Sequence, residues 1–284
     1  MQFSKYHALG NDYVVIDAAG AGGGLTADVV RRICQRNFGL GSDGILLREQ
    51  DPEPGLFHVR IFNPDGSEAE KSGNGLRIFS RYLHDRQAVE AEQEFPVLTA
   101  GGRVVCRVSR DGRTVSVDMG RVSFHSHDVP VTGPPREVIR EHVTVDHQDV
   151  EFTAASIGNP HCVVLRDELS EEETRRLGPL LETETIFPNL ANVQFTQVVD
   201  RGNLRLLIWE RGAGYTLASG TSSCAAAAVA HRLGLCDASI SVHMQGGVLQ
   251  IEIGERYAVR MTGPVVQVAE GRLSREIFVQ PEIR

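Results

Sequence analysis

The chain has 284 residues, 41% of them hydrophobic and 23% charged, with a net charge of −8, a composition that suits a globular protein large enough for two cores. The acidic balance speaks against a nucleic-acid partner, which needs clustered Lys and Arg, and no apolar run approaches the roughly 20 residues of a membrane span. Met1 leads into Gln2-Phe3-Ser4-Lys5 without the basic-then-apolar order of a secretory signal.

In chain order the predicted elements form two series. Val14 to Asp17 reads as a strand, a helix follows near Thr26 to Arg36, and a second strand ends near Phe62. A helix begins just after Ser72-Gly73, with Leu76, Phe79 and Leu83 on one face. Val104 to Val108 and Thr114 to Met119 make a hairpin turned at Asp111-Gly112. The Pro- and Gly-bearing stretch Val129 to Pro135 reads as a linker. The second series has a strand at Cys162 to Leu165, then a helix from Ser170 to Glu182 opened by the capping box Ser170-Glu171-Glu172-Glu173. A strand ending near Trp209 precedes a helix after Ser219-Gly220, where Ala225 to Ala228 and Val229 make a rod slim enough to pack tightly. Val248 to Ile253 and Tyr257 to Met261 form the last hairpin, and the tail after Pro264 is expected to return to the first half.

The two series share more than their order. Leu9-Gly10-Asn11 through Val15 resembles Ile157-Gly158-Asn159 through Val163, and Arg60-Ile61-Phe62-Asn63 resembles Leu207-Ile208-Trp209-Glu210. Ser72-Gly73 resembles Ser219-Gly220, and Gly101-Gly102 through Gly120 resembles Gly246-Gly247 through Gly263. Each pair lies about half the chain apart, so an internal duplication is the reading.

The five cysteines (Cys34, Cys106, Cys162, Cys224 and Cys236) are scattered, with no CxxC pair. Reduced, buried thiols in a cytoplasmic protein are expected, with neither a metal site nor a disulfide framework. Ser72-Gly73-Asn74-Gly75 lacks the rest of a Rossmann or Walker pattern. Two Ser-Gly helix starts instead suit carboxylates, since the first N–H groups of a helix and its dipole favour an anion. Read singly, each serine is most simply an N-cap. The duplicated polar residues nine positions upstream, Asn63 and Glu210, favour a shared site. Asn11, Asn159 and Asn192 add amides beside turns, and Glu210-Arg211 sets an acid and a base side by side. Lys5 and Lys71 are the only lysines and hence the only candidates for a pyridoxal phosphate linkage.

Several stretches together resemble the diaminopimelate epimerase family: Phe3-Ser4-Lys5 with His7 through Asp12, Phe62-Asn63-Pro64-Asp65-Gly66-Ser67, Gly73-Asn74-Gly75-Leu76-Arg77, Gly158-Asn159-Pro160-His161, and Glu210-Arg211-Gly212-Ala213-Gly214. The resemblance runs nearly end to end. It implies an α+β fold of two pseudo-symmetric lobes, each a curled, mostly antiparallel sheet around a central helix. Residues 1–120 with 265–284 would form one lobe and 121–264 the other, with the active site in the cleft between them. It also implies a cofactor-independent epimerase, interconverting LL- and meso-diaminopimelate by proton removal and return at an α-carbon, in a cytoplasmic protein and, by analogy, a homodimer.

Carried over position by position, the resemblance makes Asn11, Asn63, Asn159, Asn192, Glu210 and Arg211 substrate-holding residues. Gly73, Asn74, Gly220 and Thr221 become the backbone cradles for the carboxylate at the reacting centre. His161 and Glu210 become polar partners of the catalytic pair. That pair is two cysteines in the family; here the positions are Ser72 and Ser219. A serine hydroxyl is a far weaker acid than a thiol of pKa about 8.5 and needs a neighbouring base. Tyr215 is a second departure, in a run that usually reads Gly-Glu-Thr. Three readings stay open: an epimerase using Ser72 and Ser219 as catalysts, a related isomerase or racemase of another amino acid, and a ligand-binding form without turnover, either degenerate or made by cysteine-to-serine exchange.

Overall fold

A computed structural model describes residues 1–20 and 25–278. It divides into two compact units, Met1–Val117 with Gly263–Arg284 and Asp118–Thr262; the part of the expected tail beyond Phe278 lies outside the described residues.

The first unit runs β1 (Gln2–Ala8), β2 (Asn11–Asp17), α1 (Ala27–Cys34), β3 (Ile45–Arg48), β4 (Phe57–Phe62), β5 (Glu68–Ala69), α2 (Gly73–Asp85), β6 (Glu94–Thr99), β7 (Gly102–Val108) and β8 (Thr114–Arg121), whose last residues pass into the second unit. The second unit continues with β9 (Glu141–Val145), β10 (Gln148–Ser156), β11 (Pro160–Leu165), α3 (Glu171–Glu182), β12 (Asn192–Asp200), β13 (Asn203–Glu210), β14 (Gly214–Thr216), α4 (Gly220–Arg232), β15 (Ser239–Met244), β16 (Gly247–Ile253) and β17 (Ala258–Pro264). A last strand, β18 (Val266–Arg272), pairs antiparallel with β1 and so belongs to the first unit.

Strand pairing bears out the duplication. In the first unit β1/β2 is antiparallel, β2/β3 parallel, β3/β4 and β4/β5 antiparallel, β4/β6 parallel and β6/β7 antiparallel. The same sequence of directions recurs as β10/β11, β11/β12, β12/β13 and β13/β14, β13/β15, and β15/β16. In both units one helix crosses over between the first parallel pair and a second between the next, as parallel neighbours require. Each sheet is therefore mixed, with antiparallel pairs predominating.

The second helix of each unit is the core. In α2, Leu76, Phe79 and Leu83 are buried as their spacing predicts, but so are Arg77, Ile78 and Ser80. The helix is enclosed on most of its circumference, against β1, β2 and β7. In α4 every residue from Ser222 to Ala230 is fully buried; methyl-sized side chains let the rod sit among β10 to β13, β15 and β16.

Local differences from the predicted elements have local causes. Helix α1 ends at Cys34, before Arg36, because Gln35 turns extended and its side-chain Oε1 accepts the N–H groups of Asn37 and Phe38 at 2.5 and 2.8 Å. The capping box of α3 is half made: Ser170 Oγ accepts from Glu173 N, while the Glu173 carboxylate pairs with Arg166 at 3.0 Å. The stretch 129–135 is no linker. It lies inside the second unit, with Val129 and Val131 in its hydrophobic core. The two crossings between units fall instead at residues 117/118 and 262/263, inside β8 and β17, the second of them at Thr262-Gly263-Pro264.

Gly178 of α3 marks a tight contact, since a Cβ there would lie 2.6 Å from Trp209 Cγ. Gly178→Ala should destabilise the protein by about 1–3 kcal/mol through overpacking, read as a lower urea midpoint; an unchanged midpoint would mean the contact is slack.

Candidate active site

In the first unit the chemistry gathers at the start of α2. Ser72 is its N-cap, extended at φ −138° and ψ 119°, and its Oγ accepts the Gly75 N–H at 3.0 Å. Helix geometry leaves the N–H groups of Gly73 and Asn74 without an intrahelical acceptor, which makes them an anion cradle beside the serine. Asn74 is locked from both sides: its Nδ2 donates to Asn11 Oδ1 at 3.0 Å and its Oδ1 accepts from the buried Arg77 at 2.9 Å. Asn11 in turn donates to Asp43 Oδ2 at 3.0 Å. Asp43 pairs with Arg36, which with Lys5 also pairs with Asp12. Burial works against the Asp12 carboxylate, yet Lys5 and Arg36 outweigh it and hold its pKa below the ordinary value. Tyr13 Oη stands 3.3 Å from Ser72 Oγ.

In the second unit Ser219 caps α4 at φ −144° and ψ 127°, almost the backbone of Ser72, and its Oγ receives the Ser222 N–H at 3.5 Å. Gly220 and Thr221 supply the equivalent N–H groups. The side chain of Ser219 donates to Glu210 Oε1 at 3.4 Å, with Thr221 Oγ1 at 3.5 Å. Burial pushes the Glu210 carboxyl above its ordinary pKa, only partly offset by that hydrogen bond. Behind the serine runs a buried chain: Asn159 Oδ1 to His161 Nε2 at 2.9 Å, His161 Nδ1 to Gln194 Nε2 at 3.1 Å, and Gln194 Nε2 to Ser222 Oγ at 3.1 Å. Full burial lowers the His161 pKa to about 3, so the ring is neutral. With its Nε2–H given to Asn159 and its Nδ1 accepting from Gln194, it orients an amide; it does not present a free base.

Arg211 is set by its backbone and its guanidinium. Asn192 Oδ1 accepts its N–H at 3.0 Å while Asn192 Nδ2 donates to Pro160 O at 2.9 Å, and the guanidinium reaches Asn189 O at 3.0 Å. Glu182, at the end of α3, takes the Trp209 indole N–H at 2.6 Å and the Gly212 N–H at 2.8 Å. It thereby clamps the residues on either side of Glu210-Arg211.

Most of the residues singled out in the sequence thus fall into contacting groups: Asn11 with Asn74, Asn159 with His161, Asn192 with Arg211, and Ser219 with Glu210 and Thr221. Asn63 is bonded elsewhere, its amide donating to Ser67 Oγ at 3.0 Å within its own turn. No cysteine stands in for the serines: Cys224 is fully buried inside α4, and burial drives the Cys162 thiol upward. Tyr13, Asp43, Glu182, Gln194 and Ser222 belong to these networks although no motif marks their roles. Gln194 is open to detection, because a buried polar residue amid Val193, Phe195 and Thr196 has to be hydrogen-bonded. Among the described residues no group of three or more His, Cys, Asp or Glu could hold a metal ion, and no helix is long and apolar enough to cross a membrane.

Comparison with known proteins agrees in family and fold. The family model described as diaminopimelate epimerase matches residues 3–125 and 153–268. Diaminopimelate epimerase 2 of Nostoc sp. is 55% identical over 98% of this chain and 97% of its own length. Diaminopimelate epimerase of Moorella thermoacetica is 39% identical over 95% of this chain and 98% of its own. Among solved structures, a hydroxyproline epimerase from Agrobacterium vitis superposes with a TM-score of 0.69 at 17% identity, covering 96% of this chain and 90% of that one. A predicted epimerase from Pseudomonas aeruginosa does so at 0.67 and 18%, covering 96% and 98%; likeness at such identities speaks to fold.

Two measurements check the site. Glu182→Gln keeps one acceptor but turns an amide N–H toward a buried donor, and should cost about 1–3 kcal/mol, with altered emission from Trp209, the only tryptophan; unchanged emission and stability would remove the clamp. For His161, a folded-state pKa near 3 lies below the unfolded value of 6.5. The stability it contributes is complete above pH 6.5 and is lost as pH falls from there toward 3. His161→Gln should flatten that part of the stability–pH curve, as measured by urea unfolding.

Proposed function

The chain belongs to the diaminopimelate epimerase family, and on that premise we propose that it interconverts LL- and meso-diaminopimelate by moving a proton off and onto an α-carbon without a cofactor. The observation that carries this reading is the hydrogen bond from Ser219 Oγ to Glu210, a carboxylate that burial has made more basic. Serine alone is a poor base, but a serine that passes its own proton to Glu210 while taking the substrate's need never exist as a free alkoxide. Ser72 is the partner that returns a proton. The N–H groups of Gly73, Asn74, Gly220 and Thr221 hold the α-carboxylate and absorb the charge that develops as the C–H bond breaks. Asn11, Asn63, Asn159, Asn192 and Arg211 bind the polar ends of the substrate, Asn63 after yielding its bond to Ser67. His161 acts through Asn159. A cytoplasmic homodimer belongs to the same proposal, and sedimentation equilibrium tests its assembly.

Incubation with LL- or meso-diaminopimelate in deuterated water should place solvent deuterium at the α-carbon and yield both epimers, read by NMR. Tight binding without deuterium uptake would identify a ligand-binding form; no binding would overturn the substrate. Glu210→Gln should slow exchange by roughly 10²- to 10⁴-fold. Because Glu210 must be ionised and its pKa is raised, activity should fall on the acid side above the ordinary carboxylate range, and this limb should vanish in the variant. Replacing Ser72 and Ser219 together by Cys should raise the rate tenfold or more, roughly in line with the lower pKa of a thiol.

A further inference from the structure

The two cap serines share a backbone conformation but meet different side-chain partners, a phenol at Ser72 and a carboxylate at Ser219, and the difference assigns a role to a residue outside the proposed site. A serine oxygen has one proton to give and two lone pairs with which to accept. Ser219 gives its proton to Glu210 and takes the Ser222 N–H, with the Thr221 hydroxyl at 3.5 Å, so its own proton is already directed at a base. Ser72 takes the Gly75 N–H at 3.0 Å and stands 3.3 Å from the Tyr13 hydroxyl. With that hydroxyl as donor, both lone pairs of Ser72 are filled and its own O–H is left to point outward. No carboxylate contacts Ser72 among the described hydrogen bonds; its side-chain neighbour is a phenol.

We propose that Tyr13 is the proton source behind Ser72, so that Ser72 acts as the acid of the pair and Ser219 with Glu210 as the base. This role rests on the function proposed above. The substrate Cα–H bond breaks and its proton joins Ser219 Oγ, while the Ser219 proton moves to Glu210 Oε1. The electron pair left on the α-carbon then takes the Ser72 proton, and the Tyr13 proton refills Ser72 Oγ. The protein ends with Glu210 protonated and Tyr13 a phenolate, the form that accepts the opposite epimer for the reverse reaction; water resets it by taking the proton from Glu210 and giving one to Tyr13. A phenol of ordinary pKa about 10 is a far stronger acid than an aliphatic alcohol, so it supplies an acidity that serine lacks.

The ring of Tyr13 has a packing role that does not need the hydroxyl. It is 7% exposed and fills the space that Gly44 leaves, since a Cβ at Gly44 would lie 2.6 Å from Tyr13 Cε1. Phenylalanine keeps the ring against Gly44, so Tyr13→Phe removes the hydroxyl and leaves that packing. Tyr13 touches no reacting atom; it is a positioning residue that acts through Ser72.

In Tyr13→Phe, kcat for epimerisation should fall tenfold or more with KM changed less than twofold and the urea midpoint retained. In a Ser72→Ala background the same substitution should cost nothing further, because the relay is already cut. Unchanged kcat, equal changes in kcat and KM, or an additive double variant would each overturn the proposal. A second arm needs no turnover. In Ser72→Cys, alkylation of the new thiol by iodoacetamide at pH 7, located by peptide mass, should slow threefold or more when Tyr13→Phe removes the hydrogen bond that steadies the thiolate. An equal alkylation rate refutes the contact even if diaminopimelate proves not to be the substrate; slowed alkylation without any α-deuterium uptake would sustain the contact and sink the epimerase reading.

Discussion

The structure of each unit hangs on a helix that is buried on nearly every side and yet must begin somewhere. A helix leaves its first N–H groups unsatisfied, and burying them bare would cost more than the fold can bear. The serine at each N-cap satisfies one of them, Gly75 N–H in the first unit and Ser222 N–H in the second. The remaining N–H groups at each start have no intrahelical acceptor. The same constraint that stabilises α2 and α4 therefore holds two hydroxyls in fixed orientation beside open N–H groups. Cap and open N–H groups come from one short stretch of chain.

Around these helix starts the surrounding residues are arranged in chains of hydrogen bonds that fix polar side chains and backbone in place. Asp43 and Arg77 hold the Asn11–Asn74 pair, Gln194 holds His161 and through it Asn159, and Glu182 grips the peptide on either side of Glu210-Arg211. Such networks are costly if half made and rigid if complete. Their value here is positional: an amide set within a few tenths of an ångström binds without losing further side-chain entropy.

Duplication left the two units alike in strand order and unlike in chemistry. Identical backbone at Ser72 and Ser219 meets a phenol in one unit and a carboxylate in the other. A reaction that removes a proton and returns one needs an acid and a base, and two identical half-sites would supply two of the same kind unless their protonation differed. With cysteine, one residue type can play both parts because the thiol titrates near neutrality. Serine titrates far from it, so the division of labour passes to the neighbours.

Much of this was legible in the sequence by itself. The repeats set the duplication, because homologous segments keep their order; the spacing of Leu76, Phe79 and Leu83 and the alanine run of α4 marked the two central helices; and the Ser-Gly pairs marked their starts, since small polar residues cap helices for reasons local to the chain. The placement of Asn11 and Asn74 side by side was not legible, nor were the grip of Glu182 on Trp209 and Gly212 or the approach of Tyr13 to Ser72. Those contacts join residues 27 to 63 positions apart, and no local preference specifies them. The stretch 129–135 misled as a linker for the same reason: Pro and Gly bend the chain wherever they fall, but whether the bend is a boundary depends on what Val129 and Val131 pack against. Local chemistry determined where each helix begins and which atoms it offers; only tertiary packing decided which partner each atom meets, and with that the raised pKa of Glu210 and the side-chain partner of each serine.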